Sequence, residues 1–453
     1  MTTAHMRPAE AESPPPKPPS LWKNRDYMFW WTASGISKLG SSVSAIAFPL
    51  LIIYTTGSAA QAGSVTASHM VGVLATTALG GVLSDRVSRR AIMAVTPLVQ
   101  ALSMGSMALL VYRGDPSIPA LCGLSLAGGL AAGLGSGVAL SALRRLVPRE
   151  QVASATAQGM GRDMVAEMAG APLGGVLFSL FRWVPFLFDA LSFLFLSLGA
   201  LLIRRPLGPD KQPGPRATVR SDMADAVRMV RRSDYLVFTI IWGALLNVVA
   251  EGVILLFIVL VHERGGGPAA VGVATSMALL GGVIGAVIGP ELMRRMGARK
   301  VLVLAAWAFV VSFAVVGFVP EPWQVGVVLM FGMISMVPLN VVTESYEVRL
   351  VPDEYLGRVA SMNRFCMQSV QWIGPLGAGF LADSLGVSVA VLILAGCMAL
   401  LALALHHWRK RLRILDTPIS EVEPLPLPGG ASAAERHAGG GPEAPEAPEG
   451  ERT

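Results

Sequence analysis

Residues 235–261 read YLVFTIIWGALLNVVAEGVILLFIVLV. One carboxylate, Glu251, and one amide, Asn247, interrupt an apolar run long enough for a helix to cross about 30 Å of hydrocarbon at ~1.5 Å per residue. The run is continuous rather than alternating, which excludes a membrane-barrel strand. Outward from it the same texture recurs. A first block holds runs at 28–54, 62–83, 91–111, 118–141, 152–180 and 184–203, and a second at 235–261, 269–292, 301–319, 323–346, 357–382 and 387–407. Charged residues make up 15% of the 453, against roughly 25% in a soluble domain, while 53% are hydrophobic and mean hydropathy is +0.57. A soluble enzyme is excluded. The pattern predicts an all-α membrane protein of twelve transmembrane helices in two six-helix bundles, 28–203 and 235–408, with a tail at 1–27, a linker at 204–234 and an unstructured tail at 409–453.

Positive charge sorts to one side of this topology. Arg86, Arg89, Arg90, Arg144, Arg145, Arg149, the linker arginines, Arg294, Arg295, Arg299, Lys300, Arg349, Arg358 and the run Arg409 to Arg413 share one face, and the other carries only Arg113, Arg182 and Arg264. Cytoplasmic loops retain positive charge, so both termini are expected in the cytoplasm of a multi-pass protein of the inner (plasma) membrane. The net charge of +6 belongs to this asymmetry rather than to a nucleic-acid surface. No cleaved signal is expected, because the first apolar segment is too long and lacks a cleavage pattern. In the linker, Met223, Val227 and Val230 form a stripe expected to lie on the membrane surface. Cys122, Cys366 and Cys397 have neither CxxC nor His spacing, so no disulfide framework and no metal site are expected. No GxxxxGK[ST] loop occurs, so no ATP use is expected, and no cofactor or catalytic residue is assigned.

The two blocks repeat each other. LRRLVPRE (143–150) is echoed by VRLVPDE (348–354), AGAPLGG (169–175) by IGPLGAG (373–379), and GVLSDRVSRR (81–90) by PELMRRMGARK (290–300), all in the same order. Two pseudo-symmetric halves with a cleft between them suit alternating access around a site near the bilayer midplane.

The loop GVLSDRVSRR resembles the signature loop of the major facilitator superfamily, with Gly81, Asp85, Arg86, Arg89 and Arg90 at matching positions and Ser88 where that family prefers glycine. SKLGSSVSAIAFPLLIIYTTGSAAQAG (37–63) is similar to the branch holding enterobactin exporters and macrolide-efflux proteins. The resemblance implies a major facilitator fold in which spans 1, 4, 7 and 10 line the cavity. It also implies a latch in which Asp85 faces the start of span 11 near Gly357, while the arginines clamp carboxylates or lipid phosphates. Gly170, Pro172, Gly174 and Gly175 resemble the antiporter motif of drug exporters, departing from it at Ala171. With Gly374 and Pro375 they are expected to allow close helix approach between the halves.

Ionisable groups at membrane depth cost a few kcal/mol to insert and are functional candidates. Lys38 and Arg162 lie about ten residues into their spans, and Asp163 and Glu167 sit on one face of span 5, where two such carboxylates disfavour double ionisation. Lys38 or Arg364 can pair with them, either for coupling or as a static bridge. Glu251 is deeply placed and is a candidate for a proton or a cationic substrate. Asp189 is expected at the interface, Glu344 and Glu347 beside Arg349 or the signature arginines, and His69 in the core. Met330, Met333, Met336 and Phe331 are read as packing, as is the glycine run 281–289.

The function expected is secondary active transport by a monomer. Small-molecule substrate, protons and lipid are its partners, nucleic acid is not, and efflux of an amphipathic drug, antibiotic or siderophore-like compound is the leading form. A lysolipid flippase, a metabolite importer and a non-transporting sensor or scaffold stay open.

Overall fold

The computed structural model of the protein describes residues 20–114, 116–203 and 219–426. The N-terminal half holds α1 (Arg25–Thr56), α2 (Ala59–Arg86), α3 (Arg89–Arg113), α4 (Ile118–Ser136), α5 (Val138–Leu146), α6 (Val152–Leu180) and α7 (Val184–Leu202). After the linker helix α8 (Val219–Val230), the C-terminal half holds α9 (Asp234–Glu263), α10 (Pro268–Met296), α11 (Ala298–Val316), α12 (Pro322–Leu350), α13 (Asp353–Gln371), α14 (Ile373–Leu385) and α15 (Val387–His407).

Local chemistry sets these boundaries. The Asn24, Ser58, Ser88 and Ser233 side chains each accept a backbone N–H at a helix start, satisfying donors that have no intrahelical partner. At Ser88 this explains the residue found in place of glycine: it caps α3. Gly57, at φ 69°, reverses the chain between α1 and α2 in a conformation that a side chain resists.

Two spans expected to be continuous are broken. The fourth is α4 and α5, parted at Gly137 after a glycine-rich stretch, and the eleventh is α13 and α14, parted at Trp372. Pro375 accounts for the second break, because its ring clashes with the carbonyl four residues back, that of Gln371. Among the described residues, ten helices are long and apolar enough to cross a membrane by length and composition. The two remaining spans are α6, with Arg162, Asp163 and Glu167 near its middle, which packs on α1 and α10, and the interrupted α13–α14 pair, which packs on α9 and α2.

The halves are built alike. α1 packs on α6 and α7, α2 on α4, and α3 on α4 and α7; in the second half α9 packs on α13, α14 and α15, α10 on α12, and α11 on α12 and α15. Between halves the contacts are again a matched pair, α2 with α14 and α6 with α10. The glycine run packs as expected: Gly281 and Gly285 lie against the backbone of Met330 and Ile334 on α12.

Two peripheral expectations are corrected. The linker does contain a helix, but Ala226 and Met229 are fully buried where α8 packs on α13, so that face meets protein rather than lipid; the side chain of Met223 lies outside the described residues. The tail expected to be unstructured from 409 folds through 426. Leu412 and Leu415 are buried, Arg299 pairs with Asp416, Tyr346 donates to the Thr417 carbonyl at 2.7 Å, and the Leu425 N–H donates to the Leu350 carbonyl at 2.9 Å. Residues 427–453 and 1–19 lie outside the described residues.

Candidate transport pathway

The halves meet closely at the arginine-poor end of the bundle. Asp383, near the end of α14, accepts from Ser58 Oγ at 2.6 Å and from the backbone N–H groups of Ala59 and Ala60 at 2.8 and 3.1 Å. One half thus supplies a carboxylate to the positive N-terminus of a helix in the other, a favourable charge–dipole arrangement. Deeper along this seam Gly63 lies against the Pro375 carbonyl and Gly379 against that of Ala59. Across the second seam Gly175 abuts Pro268, and a side chain at Gly272 would come within 2.9 Å of Pro172 Cα. Tyr54 completes the closure, donating to the Gly266 carbonyl at 3.2 Å and lying tilted against the His262 ring.

The arginine-rich end is different. A side chain added at Gly357, near the start of α13, would meet nothing within 4 Å, and the same holds at Gly159 and Gly161 on α6. Gly81, Asp85 and Arg86 lie outside the described residues except for their backbone, so the expected contact of Asp85 with α13 falls there too. Arg90 donates to the carbonyls of Leu201, at 2.6 Å, and Ile203, so that a cation neutralises the negative C-terminus of α7, and Arg89 is buried. Arg90 therefore binds within the N-terminal half.

Between the two ends lie the ionisable candidates. Lys38, about 20 Å along α1, forms a 2.5 Å ion pair with Glu167 of α6. Their side chains are 38% and 46% exposed, and a charge at that depth is stable against water rather than lipid, so the pair faces an aqueous cleft. Arg162 is held more firmly: it chelates Asp163 at 2.7 and 2.9 Å, donates to the Trp31 carbonyl at 2.6 Å and lies against the Trp30 and Trp31 rings. Asp163 and Glu167 therefore each own a separate cation. Arg364 is exposed on α13 and joins neither.

In the second half Gln371 donates to Glu251, while Asn247 turns away to its own helix at Gly243. The break imposed by Pro375 ends α13 at Gln371, opposite Glu251. Gly374 brings the following helix onto α9, where a side chain would strike the Val248 carbonyl and approach Glu251 Cβ at 3.1 Å. In the first half Gly170 and Gly174 seat α6 on Ser42 and Val43 of α1 in the same way. The Lys38–Glu167 and Gln371–Glu251 contacts thus tie equivalent helices together in the two halves.

Other expectations fall out as follows. Glu347 accepts from Asn363 at 2.9 Å rather than from an arginine, and Glu344 is exposed. His69 Nδ1 lies 3.3 Å from the Ser125 carbonyl, as a packed histidine does. Asp189, expected at the interface, is 1% exposed. Sequence reasoning did not single out Gln371 and Asp383, whose partners are 120 and up to 325 positions away.

The Major Facilitator Superfamily model matches residues 30–370 and 240–437. The chain is 26% identical over 413 residues to the enterobactin exporter EntS of Citrobacter koseri, covering 87% of this chain and 93% of that one. It is 22% identical over 404 residues to macrolide efflux protein A of Streptococcus pyogenes, covering 86% and 98%. Among solved structures, the nucleoside transporter NupG superimposes with a TM-score of 0.70 at 14% identity, covering 85% of this chain and 99% of that one. A bacterial homologue of the iron transporter ferroportin does so with 0.67 at 17%, covering 86% and 99%.

Proposed function

We propose, because this chain belongs to the Major Facilitator Superfamily, that this membrane transporter exports an amphipathic small molecule across the inner (plasma) membrane in exchange for protons. The observation that carries the reading is the pair of polar ties at membrane depth, Lys38–Glu167 and Glu251–Gln371, beneath the closed arginine-poor end. The arginine-rich end is taken as cytoplasmic by the positive-inside rule, which puts both termini inside and the closed end outside, so that an exported compound loads from the cytoplasm. The relatives named as exporters of enterobactin and as macrolide efflux proteins support the direction and the kind of cargo.

In this reading a cargo entering the cleft competes for Glu167 and Glu251. A carboxylate that has lost its proton inside regains one when the cleft opens outward, and the neutral site then returns. Each charge moved is worth about 2.3 kcal/mol per 100 mV, enough to bias the cycle. The test is transport in proteoliposomes under an imposed pH gradient with a panel of amphipathic compounds. Cargo-dependent proton movement is expected. Cargo flux without any proton movement would remove the coupling, and no flux for any of the panel would remove the efflux assignment.

A further inference from the structure

Asp189 takes no part in the cleft. It lies on α7, five residues after Val184 and so about 8 Å from the arginine-poor end of that helix, facing α1. Its Oδ2 is 2.5 Å from Ser44 Oγ, and its Oδ1 is 3.4 Å from Ser41 Oγ and 3.2 Å from Ser192 Oγ. Among the described residues no cation pairs with it. On α1, Lys38 is turned to Glu167; α6 directs Arg162 to Asp163 and to α1; α3 keeps its ionisable groups at its ends, Arg89 and Arg90 at one and Tyr112 and Arg113 at the other; Arg182 precedes α7 in the loop. Only hydroxyls surround the carboxyl.

Counting hydrogens shows what this arrangement accommodates. Each serine has one hydroxyl hydrogen. Ser44 Oγ also lies 3.2 Å from the Ser41 carbonyl, and Ser192 Oγ 2.8 Å from the Asp189 carbonyl. With a proton on Asp189, the acid donates to Ser44, Ser44 donates to the Ser41 carbonyl and Ser192 to the Asp189 carbonyl, so these donors are satisfied and no charge is buried. Without it, the hydroxyls turn to the carboxylate and an anion with no counter-ion sits inside the helix pair, which is unfavourable away from water. A hard metal cation does not fit. Bonded to both oxygens it would lie about 2.3–2.6 Å from each and spread them well beyond a 2.5 Å contact. The helices leave no slack either, since a side chain at Gly40 would come within 2.7 Å of Ser192 Cβ and 2.8 Å of Asp189 Oδ1.

We propose that Asp189, with Ser41, Ser44 and Ser192, is a proton-binding site separate from the cleft, occupied when the arginine-poor end is closed. The bound proton joins α7 to α1, the helix that carries Lys38. Losing it places an unpaired anion in that seam and loosens α1. The link to transport rests on the proton-coupled reading above; the occupancy of the site does not.

Infrared spectroscopy of the purified full chain in lipid at neutral pH, in the absence of cargo, tests it. A protonated-carboxyl stretch is expected that is lost in Asp189→Asn, shifted in Ser44→Ala, and retained in both Glu251→Gln and Glu167→Gln. Absence of any Asp189-dependent carboxyl band, or a band unmoved by Ser44→Ala, overturns the proposal. Should Asp189→Asn fail to fold, the Ser44→Ala shift decides. A band that appears only on removing sodium would also overturn it, since a metal ion would then be the occupant. Failure of the efflux reading would leave this spectrum unchanged.

Discussion

Glu251 and Glu167 differ in what holds them, and the difference sets what their removal does. Glu251 accepts from a neutral amide, so Glu251→Gln keeps a partner for Gln371 while removing the ionisable group. Folding is expected to survive and gradient-driven accumulation to fall at least about tenfold, equivalent to ~1.4 kcal/mol. Cargo-for-cargo exchange, which needs no proton, is expected to persist; loss of both would mean that Glu251 only holds α9 to α13. Glu167 is paired to a lysine in a water-accessible cleft, where screening keeps such a pair within ~1 kcal/mol of stability. Glu167→Gln and Lys38→Met are therefore expected to shift the melting midpoint by no more than a few degrees while lowering transport, which a thermal-shift assay beside a flux assay checks. These three residues were legible in the sequence because charge stands out in an apolar run. Gln371 was not, because an uncharged amide gives no such signal and its partner lies 120 positions away. Asp189 was legible as a residue but not in its burial, which depends on the face that α7 turns to α1.

Among the elements, proline and glycine do most of the placing. Pro375 ends α13 at Gln371, and the glycines on either side of the seams let backbone meet backbone. Pro375→Ala is expected to join α13 to α14, move Gln371 off Glu251 and reduce transport several-fold without unfolding the protein, which circular dichroism alongside flux would show. Gly175→Leu places a side chain against the Pro268 carbonyl and is expected to hold the arginine-poor end open. The motif carrying these residues was readable as a repeat. What the repeat did not carry was its local consequence, an uninterrupted helix at Pro172 and a broken one at Pro375. The linker helix was legible too, but its stripe could not name its partner, and α13 proved nearer than lipid. The folded stretch 409–426 was missed for a related reason: its few apolar residues pack where Arg299 and Tyr346 stand ready at the ends of other helices.

For the whole molecule, two equivalent seams, α2 with α14 and α6 with α10, join the halves at the arginine-poor end. Among the described residues the α2–α14 seam carries a charge, Asp383 on the start of α2. Asp383→Asn removes a charge–dipole attraction of about 0.3–2 kcal/mol, so the population open at the arginine-poor end is expected to rise between about two- and thirty-fold. Accessibility of a cysteine placed in the α1–α2 turn to a membrane-impermeant thiol reagent reports that rise. Duplication and the number of spans were legible from apolar runs and echoed motifs. Which end is closed was not, because both states use the same sequence and differ by only a few kcal/mol.

The measurement that bears most directly on this mechanism is a pair of interspin distances in the lipid-reconstituted chain, one across the α3–α4 and α11–α12 loops and one across the α2–α3 and α10–α11 loops. The two are expected to change in opposite senses when cargo or pH is varied, one lengthening as the other shortens. Distances that stay fixed together, or that lengthen together, would contradict a rocking pair of halves.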